Sequence, residues 1–103
     1  MIVRISKDAA EELAEAAVWY ENESTGLGER LIDAFEHATE LLKEPNPPLT
    51  LLQGKASRLG AKSLILHRFP FSLVTIQKEL TITVVAFAHH SRKPGYWHKR
   101  IVS

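Results

Sequence analysis

The spacing of apolar residues changes character once, near Pro48, and divides the chain into a helical half and a stranded half. Residues 1–5 form a short β-branched run that reads as a strand. Ser6 is placed to cap a following helix, and Asp8, Glu11 and Glu12 stand where a helix N-terminus favours negative charge. Leu13, Ala16, Ala17 and Tyr20 recur at i, i+3, i+4 and i+7, marking one buried stripe, and Trp19-Tyr20 is expected to pack inside a helical pair. Asn22-Glu23-Ser24-Thr25-Gly26 breaks the pattern. A second stripe of Leu27, Leu31, Ala34, Phe35, Ala38, Leu41 and Leu42 defines a longer helix, which Pro45, Pro47 and Pro48 end. Two amphipathic helices on so short a link predict an antiparallel hairpin.

Beyond Pro48 the period is that of strands. Residues 50–61 hold Gly54, Ser57 and Gly60 and read as a loop, with a ragged strand near Leu51-Leu52. Strands are predicted over residues 62–68, 71–77 and 80–88, with Pro70 after the first and Lys78-Glu79 joining the other two as a hairpin. In the last, Leu80, Ile82, Val84, Ala86 and Ala88 alternate with Thr81, Thr83, Val85 and Phe87. Both faces are apolar, which predicts a central strand. The order β-α-α-β-β-β implies one α+β domain over residues 1–103, with the helical hairpin on one face of a mostly antiparallel sheet.

Composition removes several classes of function. The chain has no cysteine, so disulfides, thiolate metal sites and a cysteine nucleophile are excluded; this fits a reducing cytoplasm, the expected location. No apolar run reaches the roughly 20 residues of a membrane helix, and no membrane partner is expected.

Charge adds more. Residues 1–53 carry four Lys/Arg against eleven Asp/Glu, whereas residues 54–103 carry nine against the single acid Glu79, so the overall +1 conceals a polarised chain. Most of the titratable density lies in His89-His90-Ser91-Arg92-Lys93-Pro94-Gly95-Tyr96-Trp97-His98-Lys99-Arg100. Such a basic, aromatic-bearing tail suits a polyanion, with RNA the first expectation.

Metal-free RNA cleavage by a 2′-hydroxyl needs a base, an acid and fixed positive charge on the phosphate. Histidine, with an ordinary pKa of about 6.5, carries protons near working pH. Strand alternation sends His89 and His90 to opposite faces, so one can meet RNA while the other meets the core. Arg92 and Lys93 either hold phosphate or form a solvated turn that Pro94-Gly95 completes. Tyr96 or Trp97 can stack a base, and Trp97 can instead plug the sheet. Adjacent histidines diverge and the tail has no carboxylate, so neither a metal site nor a cofactor is expected.

Several phrases together resemble the RelE/ParE superfamily of bacterial type II toxin–antitoxin systems. They are Ala10-Glu11-Glu12-Leu13 leading into Ala17-Val18-Trp19-Tyr20-Glu21, then Gly26-Leu27-Gly28, Leu66-His67-Arg68-Phe69-Pro70-Phe71, Ala88-His89, and Arg92-Lys93-Pro94-Gly95-Tyr96-Trp97. The superfamily holds two activities on one fold: RelE-type members cut messenger RNA within the ribosome, and ParE-type members poison DNA gyrase.

The resemblance implies a nuclease set of His90, Arg92 and Tyr96. A further arginine comes from Arg58 or Arg68, with Arg58 preferred because Arg68 adjoins the Phe-Pro phrase. Lys62, Arg68, His89, Lys93, Lys99 and Arg100 would contact RNA or phosphate. It further implies a cognate antitoxin whose partly acidic segment folds across the toxin. The expectation is a ribosome-dependent, metal-independent mRNA endoribonuclease. The alternatives are a ParE-type gyrase inhibitor without nuclease activity and an inactive antitoxin-binding module.

Overall fold

Ser6 is the hinge between the first strand and the first helix. Its backbone N–H donates to the Val84 carbonyl at 2.9 Å, and its hydroxyl accepts the Ala9 N–H at 3.1 Å. The computed structural model, which describes residues 1–102, has the order β1 (Ile2–Ile5), α1 (Lys7–Glu23), α2 (Leu27–Leu42), β2 (Thr50–Leu51), α3 (Lys55–Arg58), β3 (Lys62–Ile65), β4 (Phe71–Lys78), β5 (Thr81–His89) and α4 (Lys99–Val102). The five strands form one mixed sheet in the order β1-β5-β4-β3-β2, with β1 parallel to β5 and the other pairs antiparallel. The α+β class, the helical hairpin and the central place of β5 are as the sequence implies. No helix among the described residues is long and apolar enough to cross a membrane.

The turn between α1 and α2 explains the Gly-Leu-Gly phrase. Gly26 takes a left-handed φ of +93°, and Glu21 accepts N–H bonds from Gly26 and Gly28, supplying α2 with the N-terminal cap that Gly26 cannot. At Gly28 the two helices nearly touch: a Cβ there would lie 2.4 Å from the Ala17 carbonyl oxygen. The hairpin covers one sheet face. Ala17, Leu31, Phe35, Ala38 and Leu42 meet Leu64, Leu66, Leu73, Ile82 and Val84, while Phe71 and Phe87 stack with centroids 4.4 Å apart. A second cluster lies on the far face, where Ala56 of α3 and Ile101 of α4 flank Ala61, Val74, Val85, Ala86 and Trp97.

Four expectations are corrected. Residues 50–61 contain the short helix α3 as well as the ragged strand, and the tail closes in α4. The strand expected over residues 62–68 stops at Ile65. Trp19, expected inside the hairpin, is 58% exposed; only Tyr20 packs inward, edge-on to Phe69 at 5.3 Å. The alternation of β5 is also interrupted: Thr75 pairs with Val84 and Val74 with Ala86, so Val85 is an extra residue. This β-bulge flips the phase. Ile82 and Val84 face the helices before it and Phe87 after it, while Ala86 moves to the far face.

Candidate functional site

Past the bulge, β5 outruns β1, which ends opposite Val84. Backbone groups on that edge therefore need other partners. Glu12, in the second turn of α1, supplies one: its carboxylate accepts the Phe87 N–H at 3.1 Å. The same carboxylate accepts the Tyr96 hydroxyl at 2.5 Å and both terminal nitrogens of Arg100, at 2.8 and 3.2 Å. Arg100 also donates to the Val85 carbonyl at 3.0 Å, and its Nε lies 3.8 Å from Asp8. The bulge, the first helix and the tail are thus fastened at one point, mostly out of solvent, by charge-assisted bonds.

The electrostatics follow from this geometry. Burial pushes the Glu12 carboxyl upward, but hydrogen bonds from Arg100, Tyr96 and the Phe87 N–H outweigh it and hold the group below its ordinary range. Burial raises the Tyr96 phenol strongly, and its bond to anionic Glu12 raises it further, so it remains a neutral donor. Arg100 is held more firmly protonated, chiefly by its bond to Glu12.

His89, the last residue of β5, lies edge-on to Phe71 at 5.0 Å. Its Nδ1 accepts the Ser91 N–H at 3.0 Å, which fixes the proton of the neutral ring on Nε2. His90 turns to the other face, where its Nε2 lies 2.8 Å from the Ser72 hydroxyl, while its backbone N–H donates to Pro70. The central carbon of the Arg92 guanidinium lies over the Tyr96 ring, 3.9 Å from the centroid. Arg68 and Lys93 are exposed near this end of the sheet, in the β3–β4 turn and the turn after β5.

His89, Arg92, Tyr96 and Arg100 therefore gather around Glu12, with His90 next to them on the opposite face. Arg58 does not join them: it is exposed on α3 and has no hydrogen bond or ion pair among the described residues. Lys62 opens β3 opposite Thr75 and lines a separate polar cavity with Gln77 and Glu79, and Lys99 is exposed on α4. Trp97 is 4% exposed in the far-face cluster, so of its two readings the plug describes it.

Glu12 is the residue that sequence reasoning missed, because helix-terminal acids are usually solvated. A signal existed: Asp8 and Glu12 share one face of α1 at i, i+4, while the tail holds cations and no acid. Both acids meet Arg100. Between α1 and the end of β5 lies a cavity of about 250 Å³ lined by Glu12, Glu15, Ala16, Phe71, Phe87, His89 and Arg92. No cluster of three or more metal-ligating side chains occurs among the described residues.

The architecture has a counterpart among solved structures. A solved structure described as the chromosomal ParDE TA system from P. aeruginosa aligns with it at a TM-score of 0.73, covering 86% of this chain and 95% of that one at 17% identity. The family model for the ParE toxin of the type II toxin–antitoxin system parDE matches residues 3–94, and the chain belongs to that family. No curated protein matches the sequence. The family match ends at Pro94, so Tyr96, Trp97 and Arg100 lie beyond it.

Proposed function

We propose that this type II toxin arrests growth by inhibiting DNA gyrase, without cleaving RNA. The observation that carries the reading is the engagement of Tyr96 and Arg100 by Glu12. A nuclease needs a proton donor and a free cation at the phosphate. Here a raised phenol donates to a carboxylate that also neutralises Arg100, so the Tyr96 proton is engaged and, of the two arginines beside it, only Arg92 lacks an ion pair among the described residues. His90 and Tyr96 turn to partners on opposite sides of β5, Ser72 and Glu12, a poor arrangement for passing a proton across one scissile bond. Membership of the ParE family supports the same target, since ParE-type toxins act on gyrase.

One induction experiment tests this. Expression of the toxin in antitoxin-free cells should reduce plasmid supercoiling while the 5′ ends of messenger RNA stay unchanged. New RNA ends inside reading frames, with supercoiling intact, would instead establish the nuclease activity, with His90, Arg92 and Tyr96 as its first candidates.

A further inference from the structure

Lys62 and Glu79 line one cavity and do not pair with each other. The cavity, of about 280 Å³, lies at the end of β4 remote from His90 and is bounded by Leu49, Gly60, Lys62, Thr75, Gln77 and Glu79. Neither charged side chain takes part in an ion pair or a hydrogen bond among the described residues. The backbone sets both positions. Lys62 stands opposite Thr75 in the β3–β4 ladder, and the buried Thr75 hydroxyl donates to its carbonyl at 3.1 Å. Glu79 turns the β4–β5 hairpin at φ +57°, the one non-glycine residue in the left-handed region among the described residues. Glycine or asparagine takes that conformation more readily than glutamate. The Gln77 side-chain amide braces the turn by donating to the Glu79 carbonyl at 3.0 Å. Glu79 is also the single acid among residues 54–103. A costly backbone conformation therefore holds the one acid of the basic half beside a cavity whose lysine has no partner.

We propose that this cavity binds a free aliphatic α-amino acid by its two charged ends, the ammonium on Glu79 and Gln77 and the carboxylate on Lys62. A zwitterion supplies each unpaired charge with its opposite, which a ligand of one sign cannot do. The Gln77 Oε1 accepts no hydrogen bond among the described residues and can share the ammonium with Glu79. The Thr75 hydroxyl is already engaged, so Leu49 is the surface left for the ligand's own side chain, and that surface is apolar. The volume falls just below the roughly 300–1,000 Å³ of sites for drug-sized molecules and suits a smaller metabolite. Glu79 disfavours a phosphate, and one carboxylate is too few for a hard cation. The inference does not depend on gyrase as the target.

The test titrates purified, isotope-labelled toxin with L-leucine and follows its amide resonances by NMR. Those of Lys62, Gln77 and Glu79 should move saturably, with half-saturation on the order of 1 mM, because the charges of the site are also exposed to water. Isocaproate lacks the ammonium of leucine and isoamylamine lacks its carboxylate, and each should bind at least about threefold more weakly. Glu79→Asn removes the charge but keeps a residue that tolerates the left-handed turn, and Lys62→Met removes the other charge. Either should weaken leucine binding at least about threefold. Lys55→Met on α3, outside the cavity, should leave it unchanged, and thermal melting confirms that each variant is folded.

The proposal is overturned if leucine causes no saturable shift below roughly 20 mM. It is equally overturned if both analogues bind as well as leucine, or if folded Glu79→Asn and Lys62→Met bind it as the wild type does. Shifts of equal size in Lys55→Met and in the two cavity variants would place the ligand elsewhere and contradict the assignment.

Discussion

Glu12 and Arg100, 88 residues apart in sequence, form a two-point ion pair that fastens the tail to the first helix. The contact closes the structure in a way that strand pairing alone does not. Its acceptor also receives the Phe87 N–H, so the carboxylate satisfies an edge that β1 leaves open. The pair therefore supports the sheet, the bulge and the placement of Trp97 together.

Replacing Glu12 by Gln keeps the shape and removes the charge, leaving Arg100 beside a neutral amide. Because the pair is mostly shielded, with side chains 24% and 17% exposed, the cost should be about 2–4 kcal/mol. Tyr96→Phe deletes one hydrogen bond to a charged acceptor and should cost about 1–2 kcal/mol. Equilibrium unfolding in urea measures both. Wild-type stability in Glu12→Gln would show that the pair is only a surface contact.

The same network sets the pH dependence. Glu12 is held below its ordinary 4.5 in the fold, so its contribution is complete above pH 4.5 and is lost as pH falls through the depressed value. Tyr96 is shifted above its ordinary 10, so its contribution is complete below pH 10 and declines as pH rises further. Melting temperature measured against pH should show both limbs. Glu12→Gln should flatten the acid one and Tyr96→Phe the alkaline one.

Gly28→Ala should separate α1 from α2. The added methyl would fall within 2.4 Å of a backbone oxygen, which cannot yield as a side-chain tip can. A loss of about 1–3 kcal/mol is expected from overpacking. Circular dichroism melting checks it, and an unchanged melt would mean that the hairpin is looser than its geometry.

Much of the architecture was legible because periodicity reports burial. The stripes of α1 and α2 and the doubly apolar β5 place the hairpin and the central strand correctly. Val85 was not legible: a bulge is an added residue with no sequence period, and it decides which of Ala86 and Phe87 meets the helices. Trp19 misled because an aromatic at a helical position reads as core, and one position of rotation about the axis leaves it outside. At the site, the tail residues were legible as a set, but Glu12 could be assigned to them only through a contact between the two ends of the chain. Arg58 was chosen over Arg68 through the resemblance, which does not foretell that it lies on the short helix α3.

The central claim is tested most directly with purified components. DNA gyrase, relaxed plasmid and ATP are incubated with wild-type toxin or with His90→Ala, and ribosome-bound messenger RNA is exposed to both in parallel. Both proteins should block supercoiling to the same extent and leave the RNA intact. Cleaved RNA with undisturbed gyrase, together with loss of that cleavage in His90→Ala, would contradict the account.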